Sequence, residues 1–378
     1  MMFEPFENIF KDSTSSFTKV KKEDYRTTGK YPIIDQGQSF IGGYTDDEKL
    51  IVNGNLPAII FGDHTKIFKY VDFPFTIGAD GVKVLKLKNE KDNALFYYFF
   101  LKSIKIVDKG YSRHFKYLKE KKLPSPNYAD QLHIANLLSK AENLISQRKE
   151  SLRLLDEFLK STFLEMFGDA VKNEKKWSKS ELKNYAKVRI GPFGSLLHKE
   201  DYVQNGVPLV NPSHIGEGKI FIDPELTISK AKMKELSAYI MREGDVVLGR
   251  RGEIGRCAVV TKNEEGYLCG TGSIYIRPTE ELNPIFLYNI ISSVSMRKVL
   301  ENSAKGITMK NLNSGIIENL KIPVPPMKIQ TQFAQTVEKA EVLKIQYRES
   351  LEELENLYGS LSQRAFKGEL GLKEKEEV

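Results

Sequence analysis

Arg250 and Arg251 stand in Gly249-Arg250-Arg251-Gly252-Glu253-Ile254-Gly255-Arg256, a glycine-flanked turn after a strand-like run. Arginine in such a turn binds phosphate or makes paired hydrogen bonds to guanine; a solvated hairpin tip is the plain alternative. A second cluster, residues 305–313, gathers amines (Lys305, Lys310), a hydroxyl (Thr308) and amides (Asn311, Asn313). Its counterpart in the first half, residues 109–116, offers Lys109, Tyr111, Ser112, Arg113 and Lys116. Such side chains on short loops suit both backbone positioning and contact with base edges. Gln36 and Gln38 follow Tyr31-Pro32-Ile33-Ile34, and Asn211, Ser213 and His214 follow Val207-Pro208-Leu209-Val210, which puts the two loops in comparable places. Gln and Asn read adenine by paired hydrogen bonds, although a plain turn uses the same residues. Ser195 in Gly191-Pro192-Phe193-Gly194-Ser195 and Thr271 in Gly270-Thr271-Gly272-Ser273 complete the candidate DNA-binding set.

Catalysis finds less to work with. No glycine-rich G-x-x-x-x-G-K-[ST] phosphate cradle is present, and Asn211-Pro212-Ser213-His214 is only half of the Asn-Pro-Pro-aromatic element of a base-flipping methyltransferase. His64, His114, His133, His198 and His214 are scattered without metal spacing, and Cys257 and Cys269 read as reduced core residues. Glu243 and Asp245 are the nearest approach to a nuclease carboxylate pair, against the plainer reading of a turn. No catalytic residue, metal or cofactor is expected.

The elements that must position the candidates are organised as a repeat. Lys122-Leu123-Pro124-Ser125-Pro126 returns as Lys321-Ile322-Pro323-Val324-Pro325, and the shift of 199 continues without a gap through Gln131/Gln330, Leu144/Leu343, Leu155/Leu354 and Phe167/Phe366. Each copy reads as a helix closed near Gly168 or Gly368. Each also carries a heptad seam: Leu138, Ala141, Ile145, Arg148, Leu152, Leu155, Leu159, Thr162 and Met166, then Val337, Ala340, Lys344, Tyr347, Leu351, Leu354, Tyr358, Leu361 and Ala365. A two-in-seven stripe is the coiled-coil pattern, and the intervening domain lets the chain return to pair the seams antiparallel. About 36 residues per helix give a rod of roughly 50 Å.

The expected class is therefore α+β: two mixed α/β domains separated by two long helices pairing as an antiparallel coiled coil. The expected boundaries are 1–123, 124–172, 173–322 and 323–378. The 378 residues suffice for two domains and an extended element, and their 28% charged and 40% hydrophobic content describes a folded chain. The net charge is +7; residues 1–123 carry 21 Lys/Arg against 16 Asp/Glu and residues 173–322 carry 22 against 17, so the positive excess sits on the heads. Without a long apolar run or a leader-like N-terminus, the expected location is cytoplasmic, with no membrane contact. Strand-like runs match between the heads: Pro57–Gly62 with Asp245–Gly249, and Val82–Leu87 with Ser273–Arg277, each leading to a helix after Asn93 or Asn283.

This order of head, Pro-x-Pro and heptad helix, given twice, resembles the specificity subunit of type I restriction-modification systems over essentially the entire chain. Gly191-Pro192-Phe193-Gly194-Ser195, Asp201-Tyr202, residues 206–211, 244–248 and 320–326 are similar to phrases of its target-recognition domains. Tyr31-Pro32-Ile33-Ile34 with Gly42-Gly43-Tyr44 is similar to a shorter variant, and the first head lacks the Gly-Pro-Phe-Gly-Ser phrase. The resemblance implies a non-catalytic subunit whose two target-recognition domains each read half of a split target in double-stranded DNA. It further implies partner methyltransferase subunits that bind S-adenosylmethionine, and ATP-using restriction subunits. A rod of ~50 Å, shortened by overlap with each head, suits half-sites about one helical turn apart, roughly 34–36 Å. The alternatives are a coiled-coil scaffold with protein-binding heads and a self-sufficient nuclease.

Overall fold

A computed structural model describes residues 2–51, 56–78, 81–107, 110, 112–216, 218–304 and 311–371. It forms two compact units, residues 1–150 with 347–378 and residues 151–346. Both long helices contribute to both units.

In the first unit four antiparallel strands lie in the spatial order Phe10–Asp12, Val82–Leu87, Ala58–Gly62, Phe68–Val71. Ala58–Gly62 is buried along its length, which explains its unbroken apolar sequence: a strand covered on both faces has no polar side to show. Ile59 and Phe61 pack with the helix Ala94–Ser103, while Ala58 and Ile60 pack against a smaller sheet that includes Ile34 and Ile77. In that smaller sheet Tyr31–Ile34 runs parallel to Thr76–Gly78.

The second unit repeats the plan. Its main sheet is ordered Ala186–Ile190, Ser273–Pro278, Val246–Gly249, Cys257–Val259, and Val207–Val210 runs parallel to Leu268–Cys269. The matched strand-like runs thus occupy equivalent places, as do the two Pro-led pairs. Cys257 and Cys269 are buried free thiols; burial pushes Cys257 up to about 12 and Cys269 higher still, so neither is a reactive thiolate. Among the described residues no helix is long and apolar enough to cross a membrane.

Each head is closed by a ribbon of its first and last segments, Phe3–Pro5 with Lys122–Pro124 and Lys179–Glu181 with Lys321–Pro323. The Pro-x-Pro segment therefore starts as a paired strand before the helix begins. The repeated glutamines fasten the helix to the head. Gln131 and Gln330, both buried, accept the backbone N–H of Asn93 (2.7 Å) and Asn283 (2.8 Å), and donate to the Pro126 (3.0 Å) and Pro325 (2.8 Å) carbonyls. Asn93 and Asn283 cap the helices that follow them, so one polar chain ties cap to long helix in each copy.

The long helices are Tyr128–Phe167 and Met327–Phe366, 40 residues each and slightly longer than the sequence pattern indicates. Gly168 and Gly368 follow with φ of +74° and +83°. Every seam residue is buried or half-buried. Two polar seam residues make cross-helix contacts: Arg148 stacks over the Tyr347 ring at 4.3 Å, and Lys344 reaches Asp156, as well as Glu341 on its own helix, at 2.6 Å each. Lys149 pairs with Glu355 at 2.7 Å. In the second unit Asp156 meets Lys344 while Phe163 meets Phe333, so the helices run antiparallel there. The helix ends depart from the narrow seam. Ile134, Ala135 and Leu138 join the first unit's core, and Phe163, Phe167 and Phe333 join the second's, because there the helices cover a head as well as each other. Phe366 meets Phe96 at 5.8 Å, and Phe167 meets Phe286 at 4.7 Å, which accounts for the Phe167/Phe366 repeat.

Candidate nucleic-acid interface

The strand registers bring four loops of the second head to one end of its main sheet: residues 191–195, 211–214, 249–252 and 270–273. Gly191 N–H donates to Ser273 O (3.0 Å), Gly270 N–H to Val210 O (2.9 Å) and Arg250 N–H to Gly272 O (2.9 Å). Leu312 N–H donates to Arg250 O (3.0 Å), which adds the segment around Asn311. A Cβ on Gly191 would overlap the Gly270 carbonyl, and one on Gly270 would overlap the Asn211 side chain, so only glycine permits this convergence.

Ser195, Ser213 and Arg251 are exposed on this loop cluster, and Asn211, Thr271 and Asn311 are half-buried in it. Arg250 is 7% exposed; its Nε donates to Thr271 O at 3.2 Å, and burial, with Arg251 nearby, lowers its pKa. Among the described residues no carboxylate lies within ion-pair distance of Arg250, which leaves a desolvated guanidinium suited to an anion. Two candidates belong to the fold instead. His214 is buried, with Nδ1 2.8 Å from Leu209 O and 3.3 Å from Asn211 N, and closes its own turn. Asn313 uses its Oδ1 to cap the helix Ser314–Glu318 through Ile316 N–H (2.9 Å). Lys305, Thr308 and Lys310 lie outside the described residues, as do Lys109 and Tyr111.

The first head assembles equivalents of three of these loops, all but 191–195. Asp63 N–H donates to Gly81 O (2.7 Å) and His114 N–H to Asp63 O (2.9 Å), the counterparts of the Arg250–Gly272 and Leu312–Arg250 bonds. Asp63 thus stands where the second head has Arg250, and its carboxylate accepts Phe115 N–H at 2.7 Å. The side chains His64, Thr65 and Lys66 follow it as Arg251 follows Arg250. They are missing from the sequence-derived set, although the matched strands ending at Gly62 and Gly249 point to them. Gln38, Arg113 and Lys116 are exposed and Ser112 is half-buried. Gln36 does structural duty: its Oε1 accepts His64 N–H at 3.2 Å and its amide lies under Gly81.

The loop carrying Gln36 and Gln38 is held from beneath by Lys69, 4% exposed, whose Nζ donates to Asp35 O and Ser39 O at 2.6 Å each and lies 3.6 Å from Asp35 Oδ1. Lys69→Met leaves both carbonyls and the carboxylate without this donor. The expected cost is about 1–3 kcal/mol in urea unfolding, with faster proteolysis at residues 35–39. Wild-type stability and cleavage would show that the clasp is not needed.

Asp245, the buried member of the carboxylate pair, is also accounted for. It is 1% exposed, accepts Nε (2.8 Å) and Nη2 (2.6 Å) of Arg277 and the Arg242 N–H (2.8 Å), and Gly244 beside it turns the chain at φ +84°. Among the described residues no group of His, Cys, Asp and Glu could hold a metal ion.

Residues 10–154 and 174–356 match the family described as Type I restriction modification DNA specificity domain. The MjaVIII specificity subunit of Methanocaldococcus jannaschii, a type I restriction enzyme subunit, is 22% identical over 67% of this chain and 63% of its own length. The chain thus spans less than two thirds of that relative. The EcoR124I/EcoR124II specificity subunit of Escherichia coli is 20% identical over 88% of the chain and 84% of its own length. The crystal structure of a type I restriction-modification S subunit from M. genitalium shares the fold, with a TM-score of 0.63 over 97% of this chain and 96% of that one at 17% identity. With the duplicated sheet order, the paired seams and a family match across both heads, the chain belongs to the type I restriction-modification DNA specificity family.

Proposed function

We propose that the chain is a non-catalytic specificity subunit of a type I restriction-modification complex, with heads at 1–123 and 173–322 that each read one half of a bipartite DNA target. One observation carries this reading: both heads bring three matched loops to the same end of the same sheet, those after Ile34 and Val210, after Gly62 and Gly249, and before Val82 and Ser273, yet present different side chains there, Asp63 and His64 in one and Arg250 and Arg251 in the other. A shared frame with divergent loop chemistry is what two readers of unlike half-sites require.

The long helices set the spacing and dock methyltransferase subunits. Leu144 and Leu343, and Phe158 and Leu357, are exposed apolar residues at repeat-equivalent positions on these helices, which supports two equivalent landing places. The restriction subunits would join through that assembly.

The test is to replace residues 173–322 with another head of this family and map methylated sites in cells that supply the methyltransferase. One half of the target changes and the other half and the spacer stay. A change in both halves, or in neither, would sink the proposal; DNA retention indifferent to salt would favour a protein-binding scaffold.

A further inference from the structure

Exposed apolar side chains gather at the loop cluster of the second head. Phe193 is 68% and Leu196 42% exposed, both on the loop that leaves the edge strand Ala186–Ile190. Phe221, also exposed, donates its N–H to His214 O (2.8 Å) and so stands beside the 211–214 loop. Single apolar residues scattered over a surface need no ligand, but these sit among the loops that carry the exposed Ser195, Ser213 and Arg251.

Phe193 is also fixed in place. Gly191 and Pro192 before it are buried, Gly191 N–H donates to Ser273 O (3.0 Å), and a Cβ at Gly191 would overlap the Gly270 carbonyl. After it, Leu196 N–H returns to Phe193 O (2.9 Å), and Leu197 is buried with Leu209, Ile228, Leu236 and Leu268. Four exposed residues, 193–196, therefore project from a loop anchored at both ends. A ring left in water adds nothing to folding, but one on a fixed loop has already lost the backbone freedom that binding would otherwise cost.

The first head gives the contrast. Its matching edge strand, Phe10–Asp12, leads at once into the turn Thr14–Ser16, tied back by Thr14 N–H to Asp12 Oδ1 (3.0 Å). The exposed residues of that turn are the hydroxylic Ser15 and Ser16, and Phe17 after them is buried. The exposed Phe40 of the first head lies on another loop and meets the Phe73 ring at 6.1 Å. An apolar tip at this sheet edge belongs to the second head alone.

What a fixed ring can recognise on duplex DNA is narrow. In the major groove the one apolar substituent on a base edge is the C5-methyl of thymine; the rest is donors and acceptors. Against an amine or carbonyl the ring would strip water and return no hydrogen bond, whereas against the methyl it buries apolar surface on both sides. We propose that Phe193 is a specificity-determining residue of the second head, packing on a thymine methyl in the major groove of its half-site with Ser195 and Arg251 as polar neighbours. The inference rests on the DNA-reading function proposed above and deepens it by naming a base that one half-site contains.

The experiment uses the half-site that exchange of residues 173–322 assigns to this head. Each of its thymines, on either strand, is replaced in turn by uracil, which lacks only the methyl. Binding of the full chain in complex with methyltransferase subunits is measured to these duplexes, to the intact target and to an unrelated duplex. In the wild type one uracil weakens binding about fourfold, the worth of one buried methyl. Phe193→Ala weakens the target about tenfold, leaves the unrelated duplex and the unfolding midpoint unchanged, and makes that same uracil silent. A uracil effect of equal size in the variant, no thymine at which uracil matters, or a half-site without an A·T pair overturns the assignment. So does 2-aminopurine beside that position that brightens with the wild type and not with the variant, since the ring would then be inserted between bases. Loss of assembly with the methyltransferase subunits in Phe193→Ala would overturn it by placing the ring at a protein interface. A wild-type complex that does not prefer its target to the unrelated duplex would instead overturn the DNA-reading function itself.

Discussion

Phe333→Ala is expected to lower the unfolding free energy by about 3–5 kcal/mol, the range for emptying a fully buried aromatic site. Phe333 is 0% exposed, with its ring 5.3 Å from Phe163 and 5.6 Å from Phe167, where the start of one long helix, the end of the other and the head share one core. The hole cannot be closed by one element moving alone, because three elements border it. Phe333→Leu, which keeps most of the volume, should cost markedly less. Denaturant unfolding checks both; a loss under about 1 kcal/mol for the alanine variant would mean that the helices and the head do not share a core there.

The second large effect concerns Asp245. Asp245→Ala removes the partner of Arg277 and an acceptor of the Arg242 N–H, and breaking a buried pair in this way costs about 3–5 kcal/mol. The low end is expected, since Arg277 keeps 27% of its side-chain surface in solvent. Arg277→Met in the same chain should recover a large part of the loss, because no charge is then left without its partner. If the double variant is as unstable as Asp245→Ala plus Arg277→Met taken separately, the ion pair is not the cause. This pair bears on function as well. A carboxylate saturated by three donors is a poor metal ligand, so the residue that looks most like a nuclease acid in sequence holds the sheet together.

The duplicated helices are legible in the amino-acid sequence because a constant shift of 199 carries their periodicity, and a seam is a local, one-dimensional pattern. Matched strands are legible for the same reason. Strand alternation and Pro-led pairs survive in sequence even where loops have diverged.

The role of the repeated Gln131 and Gln330 is not legible there, since their partners are backbone groups of a helix cap 38 and 47 residues away. Nor is the widening of the helix ends, which depends on which head each end covers. The candidate site divides in the same way. Arg250, Arg251, Ser195 and Thr271 announce themselves by residue type in glycine-rich turns and Asn211 in a turn led by proline, but His214, Asn313 and Gln36 have similar types and are engaged by their own turns and caps. Sequence by itself determined that this chain has two basic heads on a shared, duplicated helical pair. Tertiary structure alone decided which loops meet and which polar side chains their own turns and caps consume. The reason is physical: periodicity is written along the chain, whereas strand register and the desolvation of a particular side chain exist only once distant segments are packed together.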